Sequence, residues 1–184
     1  MLNELQHILD GYEILPITKE NHMCVMPIYE TNQDFFILTE GKEATPTGII
    51  ESIIAVPDGF GMEGKNFVGL WKDGKPVAVL DLFVGYPNCD CVWVGILLVH
   101  GSLKGKSIGT KIMSAIFTAT KTAGMKDIML GVIATNTRCI DFWRKIGFVQ
   151  TGVSNTALRG KDLEILILNV LRGMMHNAIS KDSR

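Results

Sequence analysis

The chain has 184 residues, enough for one domain with a full core. Apolar residues make up 47% and charged residues 20%, a globular composition. With 18 basic and 19 acidic side chains the net charge is -1, which argues against a dedicated nucleic-acid binder. No apolar stretch reaches the ~20 residues needed to span a bilayer, so no membrane segment is expected.

The N-terminus, MLNELQHILD, carries early acids and no basic segment, so no secretory signal is read and a cytoplasmic location is expected. Residues 11–17 read as a short first strand. Residues 19–29 read as a helix whose end is blurred by Pro27. Residues 48–55 form a second helical pattern, opened by Thr45-Pro46-Thr47 and closed by Pro57-Asp58-Gly59. The pattern then turns to strands. Residues 66–71 and 76–86 are apolar runs joined through Asp73-Gly74, a strong hairpin signal. After Pro87-Asn88, residues 91–99 read CVWVGILLV. A run that is apolar at every position predicts a central strand buried on both faces.

Ile108, Ile112, Ala115, Ile116, Ala119 and Ala123 recur at helical spacing over 107–123, and Gly124 ends the pattern. Residues 126–134 form the next strand, 137–146 the next helix with Gly147 as its stop, and 148–153 and 163–171 the last two strands. Strand, helix, strand over 91–134 implies a right-handed crossover and a parallel pair, whereas the preceding hairpins are antiparallel. The expected fold class is therefore α/β of the α+β type. It has a mixed, mostly antiparallel sheet of about seven strands with helices on both faces. The tail, 172–184, is polar and reads as frayed.

Cys24, Cys89, Cys91 and Cys139 lack the spacing of a paired zinc motif, so buried or reduced thiols are expected and no metal. Gly105-Lys106-Ser107 looks like the end of a nucleoside-triphosphate loop. That loop needs a glycine five residues before Gly105, and His100 stands there; Gly101 is one residue too close. The NTPase reading fails on that count. An anion site survives it, because Lys104–Thr110 lead into a helix N-terminus with free N–H groups and a favourable dipole. Gly105 and Gly109 would let ligand atoms approach the backbone, and Lys104 and Lys106 add charge. An ordinary glycine-containing turn capped by Ser107 is the plain alternative.

The run LLVHGSLKGKSIGTKIM, the strand IMLGVIATN and the helix TRCIDFWRKIGF together resemble the GNAT superfamily of acetyl-CoA-dependent N-acyltransferases. Leu97 and Val99 match its L-x-V; Lys104-Gly105-Lys106-Ser107-Ile108-Gly109 occupies its glycine motif. Asn136 and Phe142-Trp143-Arg144-Lys145-Ile146-Gly147-Phe148 match the rest. The resemblance covers about residues 65–170. It implies a sheet splayed between the fourth and fifth strands, with acetyl-CoA in the splay. The backbone of Leu97 and Val99 would pair with the thioester and pantetheine. The N–H groups of Lys104, Gly105, Lys106, Ser107, Ile108, Gly109 and Thr110 would hold the pyrophosphate. Asn136 would bond the pantetheine arm, a role compatible with capping its helix.

Three positions depart from the family pattern. Lys104 replaces Arg or Gln and loses planar bidentate geometry. Ser107 replaces Gly but keeps its N–H. Trp143, placed against the cofactor, stands where a Tyr often protonates the leaving thiolate, and an indole N–H is no substitute. Cys139 and Tyr86 are weak stand-ins. For the general base, Trp93 and Gly95 cannot serve. Asp81, inside the apolar run VAVLDLFVG, is the candidate because burial would raise its pKa; Asp90, at the mouth of the fourth strand, is the weaker candidate. Phe35, Phe36, Phe83, Tyr86 and Trp93 could line an acceptor pocket or simply fill the core.

The expectation is one GNAT-like acyltransferase domain over 1–184, with 1–64 on the acceptor side and 65–171 as the cofactor-binding core. It would move an acetyl group from acetyl-CoA to a primary amine, on a small molecule or peptide, by direct attack in a ternary complex. A non-catalytic acyl-CoA sensor is the alternative. The apolar strand 163–171 could pair across a homodimer, and core burial explains it equally well.

Overall fold

The computed structural model describes residues 1–158 and 161–171. In chain order the elements are α1 (Leu2–Ile8), β1 (Glu13–Pro16), a 3-10 turn (His22–Val25), α2 (Met26–Glu30), α3 (Gln33–Glu40) and α4 (Pro46–Ile54). There follow β2 (Lys65–Lys72), β3 (Lys75–Val84), β4 (Cys91–Val99), α5 (Ile108–Thr122), β5 (Asp127–Ile133), α6 (Thr137–Lys145), β6 (Val149–Leu158) and β7 (Lys161–Leu171).

The strands form one sheet in the order β1-β2-β3-β4-β5-β7-β6, antiparallel throughout except for the parallel pair β4–β5. The β2–β3 turn has positive φ at Asp73 (52°) and Gly74 (70°), the two-residue turn whose twist matches the strands it joins. The expected α/β class, mixed sheet and crossover are all present. The candidate dimer strand is accounted for by the sheet: β7 lies between β5 and β6, and its Leu166, Leu168 and Val170 are buried.

Two apolar cores flank the sheet. One joins α1, α5 and α6 through Leu5, Ile112, Ile116 and Trp143 to Leu80, Leu82, Val92 and Ile128. The other joins α2, α3 and α4 through Ile28, Tyr29, Phe36 and Ile49 to Phe67, Val79 and Leu98. Tyr29 stacks on Phe36 with ring centroids 4.9 Å apart, the kind of pair that adds about 0.5–1.5 kcal/mol beyond its buried area.

Several expected boundaries change. Pro27 does not end a helix over 19–29; it sits in the first turn of α2, where its missing N–H has no helical partner to lose. Residues 22–25 instead form the 3-10 turn ahead of it. Helices α1 and α3 were not expected. α3 contains the contiguous run Phe35-Phe36-Ile37-Leu38, which lacks helical periodicity, and only Phe36 of the helix is buried. The four cysteines are free thiols: Cys91 is buried, Cys139 half-buried, and Cys24 and Cys89 exposed. The expected tail, 172–184, lies outside the described residues.

Candidate active site

β4 is buried on both faces only over its first half. It pairs with β5 from Cys91 opposite Asp127 to Val94 opposite Leu130, and there the ladder stops. Beyond it, Gly95 is exposed and Ile96, Leu97 and Val99 are half-buried, so uniform burial, expected from the apolar run, fails where the neighbouring strand leaves. The break coincides with a bulge: Leu82 pairs with Val94 and Asp81 with Ile96, which leaves Gly95 without a partner on β3. β5 meanwhile continues against β7 to Ile133. The two strands therefore part into a gap, as the splayed sheet requires.

Backbone direction along this half of β4 is readable from its ends. The N–H of His100 donates to Val77 O on the β3 side at 2.8 Å. Val99 O faces the other way and accepts from Asn32 Nδ2 at 3.0 Å. Alternation along a strand then turns the N–H and C=O of Leu97 into the gap along with the N–H of Val99. Of the two residues expected to pair with a thiol ester arm, Leu97 is open at both groups and Val99 at its N–H alone. The segment joining α2 to α3 clasps the end of β4 a second time, since the Gly101 N–H donates to Thr31 Oγ1 at 2.9 Å.

After β4 the chain makes a 3-10 turn at Gly101–Leu103 and enters α5. Lys104 N–H donates to Gly101 O and Lys106 N–H to Leu103 O, so these two amides are not free for an anion. Gly105 and Ser107 have no backbone partner for their N–H groups among the described residues. Ile108, Gly109 and Thr110 precede the first helical bond, Lys111 N–H to Ser107 O. The cradle is thus Gly105 plus Ser107–Thr110. Gly105 has φ of 77° and Ser107 has φ of 59°, the left-handed region. That conformation explains a glycine at the Ser107 position in the family pattern; the Ser107 side chain makes no capping bond. Gly109 serves packing: a Cβ there would lie 3.2 Å from the Phe142 ring and 3.9 Å from Val99. Lys104 Nζ lies 3.9 Å from Asp34 Oδ1, an exposed pair that leaves its charge largely available.

Asn136 caps α6, its Oδ1 accepting from the Cys139 N–H at 3.2 Å, and its Nδ2 has no protein partner among the described residues. Trp143 is buried in the core, edge-on to Phe142 and Phe148 with centroids 4.9 and 5.2 Å away.

Asp81 lies on the face of β3 that looks toward α2 and α4, and is only 4% exposed. Its Oδ2 accepts from Lys65 Nζ on β2 at 2.7 Å, and the same ammonium donates to Ala55 O at 2.8 Å. Lys65 Nζ also sits 4.5 Å from the centre of the Phe83 ring. Asp81 Oδ1 is buried with no hydrogen-bond partner among the described residues. Burial pushes the Asp81 carboxyl up to about 6, and Lys65 beside it limits the rise. The group opens on a cleft of about 280 Å³ lined by Ala55, Val56, Pro57, Phe83 and Ile96, with Ser52 and Gly95 at its edges. A Cβ on Gly95 would lie 2.6 Å from the Phe83 ring and 3.2 Å from Asp81 Oδ2. The bulge glycine is what keeps the carboxylate open to the β4 edge.

Asp90 is elsewhere. It precedes β4 at the end remote from the phosphate cradle, pairs with Lys126, and accepts the Lys126 and Asp127 N–H groups on its carbonyl. It anchors the start of the β4–β5 pair. Tyr86 joins Phe60, Phe83 and Trp93 in an edge-to-face group beside the cleft. Burial raises the Cys139 thiol above its ordinary pKa, the wrong direction for an anion but compatible with a held proton. Two residues are not singled out by the sequence: Lys65 and Asn32. The signal for Lys65 is no more than a lysine opening an apolar strand three residues from a turn; Asn32 gives none. No three His, Cys, Asp or Glu side chains come together to hold a metal among the described residues. No helix among them is long and apolar enough to cross a membrane.

The family model described as acetyltransferase (GNAT) family matches residues 26–148. The chain belongs to the acetyltransferase (GNAT) family. Acetyl-CoA is the co-substrate of this family, and the gap and cradle fit its extended arm and its pyrophosphate. Among solved structures, an acetyltransferase from Thermus thermophilus is similar, with a TM-score of 0.64 at 17% identity over 85% of this chain and 96% of that one. The ribosomal-protein-S18-alanine N-acetyltransferase of Escherichia coli has a TM-score of 0.61 at 13% identity over 87% and 93%. The protein yncA of Salmonella typhimurium, solved with its cofactor acetyl-CoA, has a TM-score of 0.59 at 14% identity over 89% and 95%. These identities speak to the shared fold alone. Among curated proteins, none matches the sequence.

Proposed function

We propose that this GNAT protein is an N-acetyltransferase that moves the acetyl group of acetyl-CoA to a primary amine by direct attack within a ternary complex. The observation that carries this reading is the Asp81 carboxylate, buried at the floor of a cleft beside Gly95, with one oxygen unpartnered among the described residues. The amine nitrogen attacks the thioester carbonyl carbon, and the carbon–sulfur bond breaks. The Asp81 carboxylate takes the proton lost from nitrogen, directly or through one water, and passes it to solvent. The thiolate leaves without a protein acid, because Trp143 lies in the core where the family pattern often has Tyr. Leu97 and the Val99 N–H hold the extended arm like an added strand; Gly105 and Ser107–Thr110 hold the pyrophosphate. Asn136 Nδ2 is free to reach the arm. Both parts of the chain shape the acceptor cleft, α4 from within 1–64 and Asp81 and Phe83 from within 65–171.

Thiol release from acetyl-CoA, measured with a panel of amines from pH 5 to 9, tests this. Asp81 acts as a base only when ionised, so the rate should rise through pH about 6 and level off above it. Asp81→Asn should lower kcat/KM about 10²–10⁴-fold on the plateau and abolish that limb. An unchanged rate and profile would remove Asp81 as base. The burial of Trp143 favours a second reading, a non-catalytic acyl-CoA sensor; tight CoA binding with no thiol release from any amine would support it.

A further inference from the structure

We infer that the acceptor is a primary amine with an apolar group next to its nitrogen and no carboxylate beside it. The inference rests on the amine-acetylating reading above and narrows it. The cleft of about 280 Å³ is shallow and largely open, so it seats the part of the acceptor next to the nitrogen. Its walls are the side chains of Ala55, Val56, Pro57, Phe83 and Ile96, which offer apolar surface to a hydrocarbon or aryl body.

Among the described residues, the charged side chain that lines the cleft is Asp81 alone. The cation beside it, Lys65, is 2% exposed at its side chain and is used up: Asp81 Oδ2, Ala55 O and the face of the Phe83 ring surround it. Ser52 Oγ donates to Gly48 O and is likewise occupied. An incoming ammonium therefore meets the Asp81 carboxylate from the side of Oδ2, the oxygen that lies 3.2 Å from the position of a Cβ on Gly95 at the cleft edge. A carboxylate on the carbon next to that ammonium would be brought against the same oxygen, in a desolvated site whose cation is already engaged. Like charges placed together in this way oppose binding, so an amino acid is held more weakly than the matching plain amine.

Three ligands of one skeleton test this: phenethylamine, phenylalaninamide and phenylalanine. Each is titrated calorimetrically into CoA-loaded protein, and each is also assayed for thiol release from acetyl-CoA. Phenethylamine and phenylalaninamide should bind within about 10-fold of each other, and phenylalanine at least about 100-fold more weakly, as like-charge repulsion dictates. In Asp81→Asn the order should narrow or reverse, because Lys65 is then free to meet a carboxylate. Phenylalanine binding as well as phenethylamine, or none of the three binding, would overturn the inference. The binding order with no thiol release would leave the cleft's selectivity standing and overturn acetyl transfer instead. Thiol release with phenylalanine preferred would do the opposite. If Asp81→Asn fails to fold, the wild-type order alone decides.

Discussion

Lys65 and Asp81 form an ion pair with side-chain exposures of 2% and 5%, and each would be costly to bury alone. Removing one partner of such a pair typically costs about 3–5 kcal/mol, whereas replacing both by neutral groups is often close to neutral. Lys65→Met is therefore expected to lower the unfolding free energy by about 3–5 kcal/mol, and Lys65→Met with Asp81→Asn to recover most of the loss; urea denaturation of the three proteins checks this. Equal stability of the single and double variants would show that the pair is not coupled. The same contact bears on chemistry. Lys65 offsets the rise that burial imposes on Asp81, so the carboxylate is ionised above pH about 6 and ready to accept a proton at neutral pH. Asp81 was legible as a candidate base because a lone acid interrupts the apolar run VAVLDLFVG, where burying a charge is costly. Lys65 was not, because its partner lies 16 residues away across a hairpin, and its role depends on the β2–β3 register that pairs Phe67 with Asp81.

Among the elements, β4 determines what the site can do. Its apolar run was legible as a central strand, but the bulge at Gly95 was not, since a bulge depends on what the neighbouring strands do. Half of the strand is paired on both edges and half on one, and the unpaired half is where the cofactor arm would lie. Gly95→Val would drive a side chain into Phe83, where even a Cβ lies at 2.6 Å, and so close the acceptor side of the bulge. The expected result is a fall of at least about 10-fold in kcat/KM for the amine with little change in acetyl-CoA affinity, as for a lost acceptor fit of about 1–3 kcal/mol. Parallel loss of both would mean that the substitution had broken the strand. The cradle ahead of α5 shows the opposite balance. Gly105, Ser107 and Gly109 were legible as a phosphate loop, yet the structure divides their duties: left-handed backbone at the first two, room for Phe142 at the third.

For the whole molecule, periodicity and turn chemistry carried the sheet. Asp73-Gly74, Gly124 and Gly147 punctuate it at positions of positive φ. The first 60 residues were harder to read, because α1, α2 and α3 are short, and α2 and α3 are held by a second core built from distant strands rather than by their own periodicity. That region also supplies Asn32 and Thr31, which hold the end of β4 and thereby tie the acceptor side to the cofactor side. Both sides have a purpose only if acetyl-CoA lies in the gap between β4 and β5 with its pyrophosphate on the α5 N-terminus. Amide spectra of the isotope-labelled protein, titrated with acetyl-CoA, report on that placement residue by residue. Saturable shifts are expected at Leu97, Val99, Gly105, Ser107, Ile108, Gly109, Thr110 and the Asn136 side chain. Saturable binding that leaves these amides unmoved, or no binding at all, would contradict it.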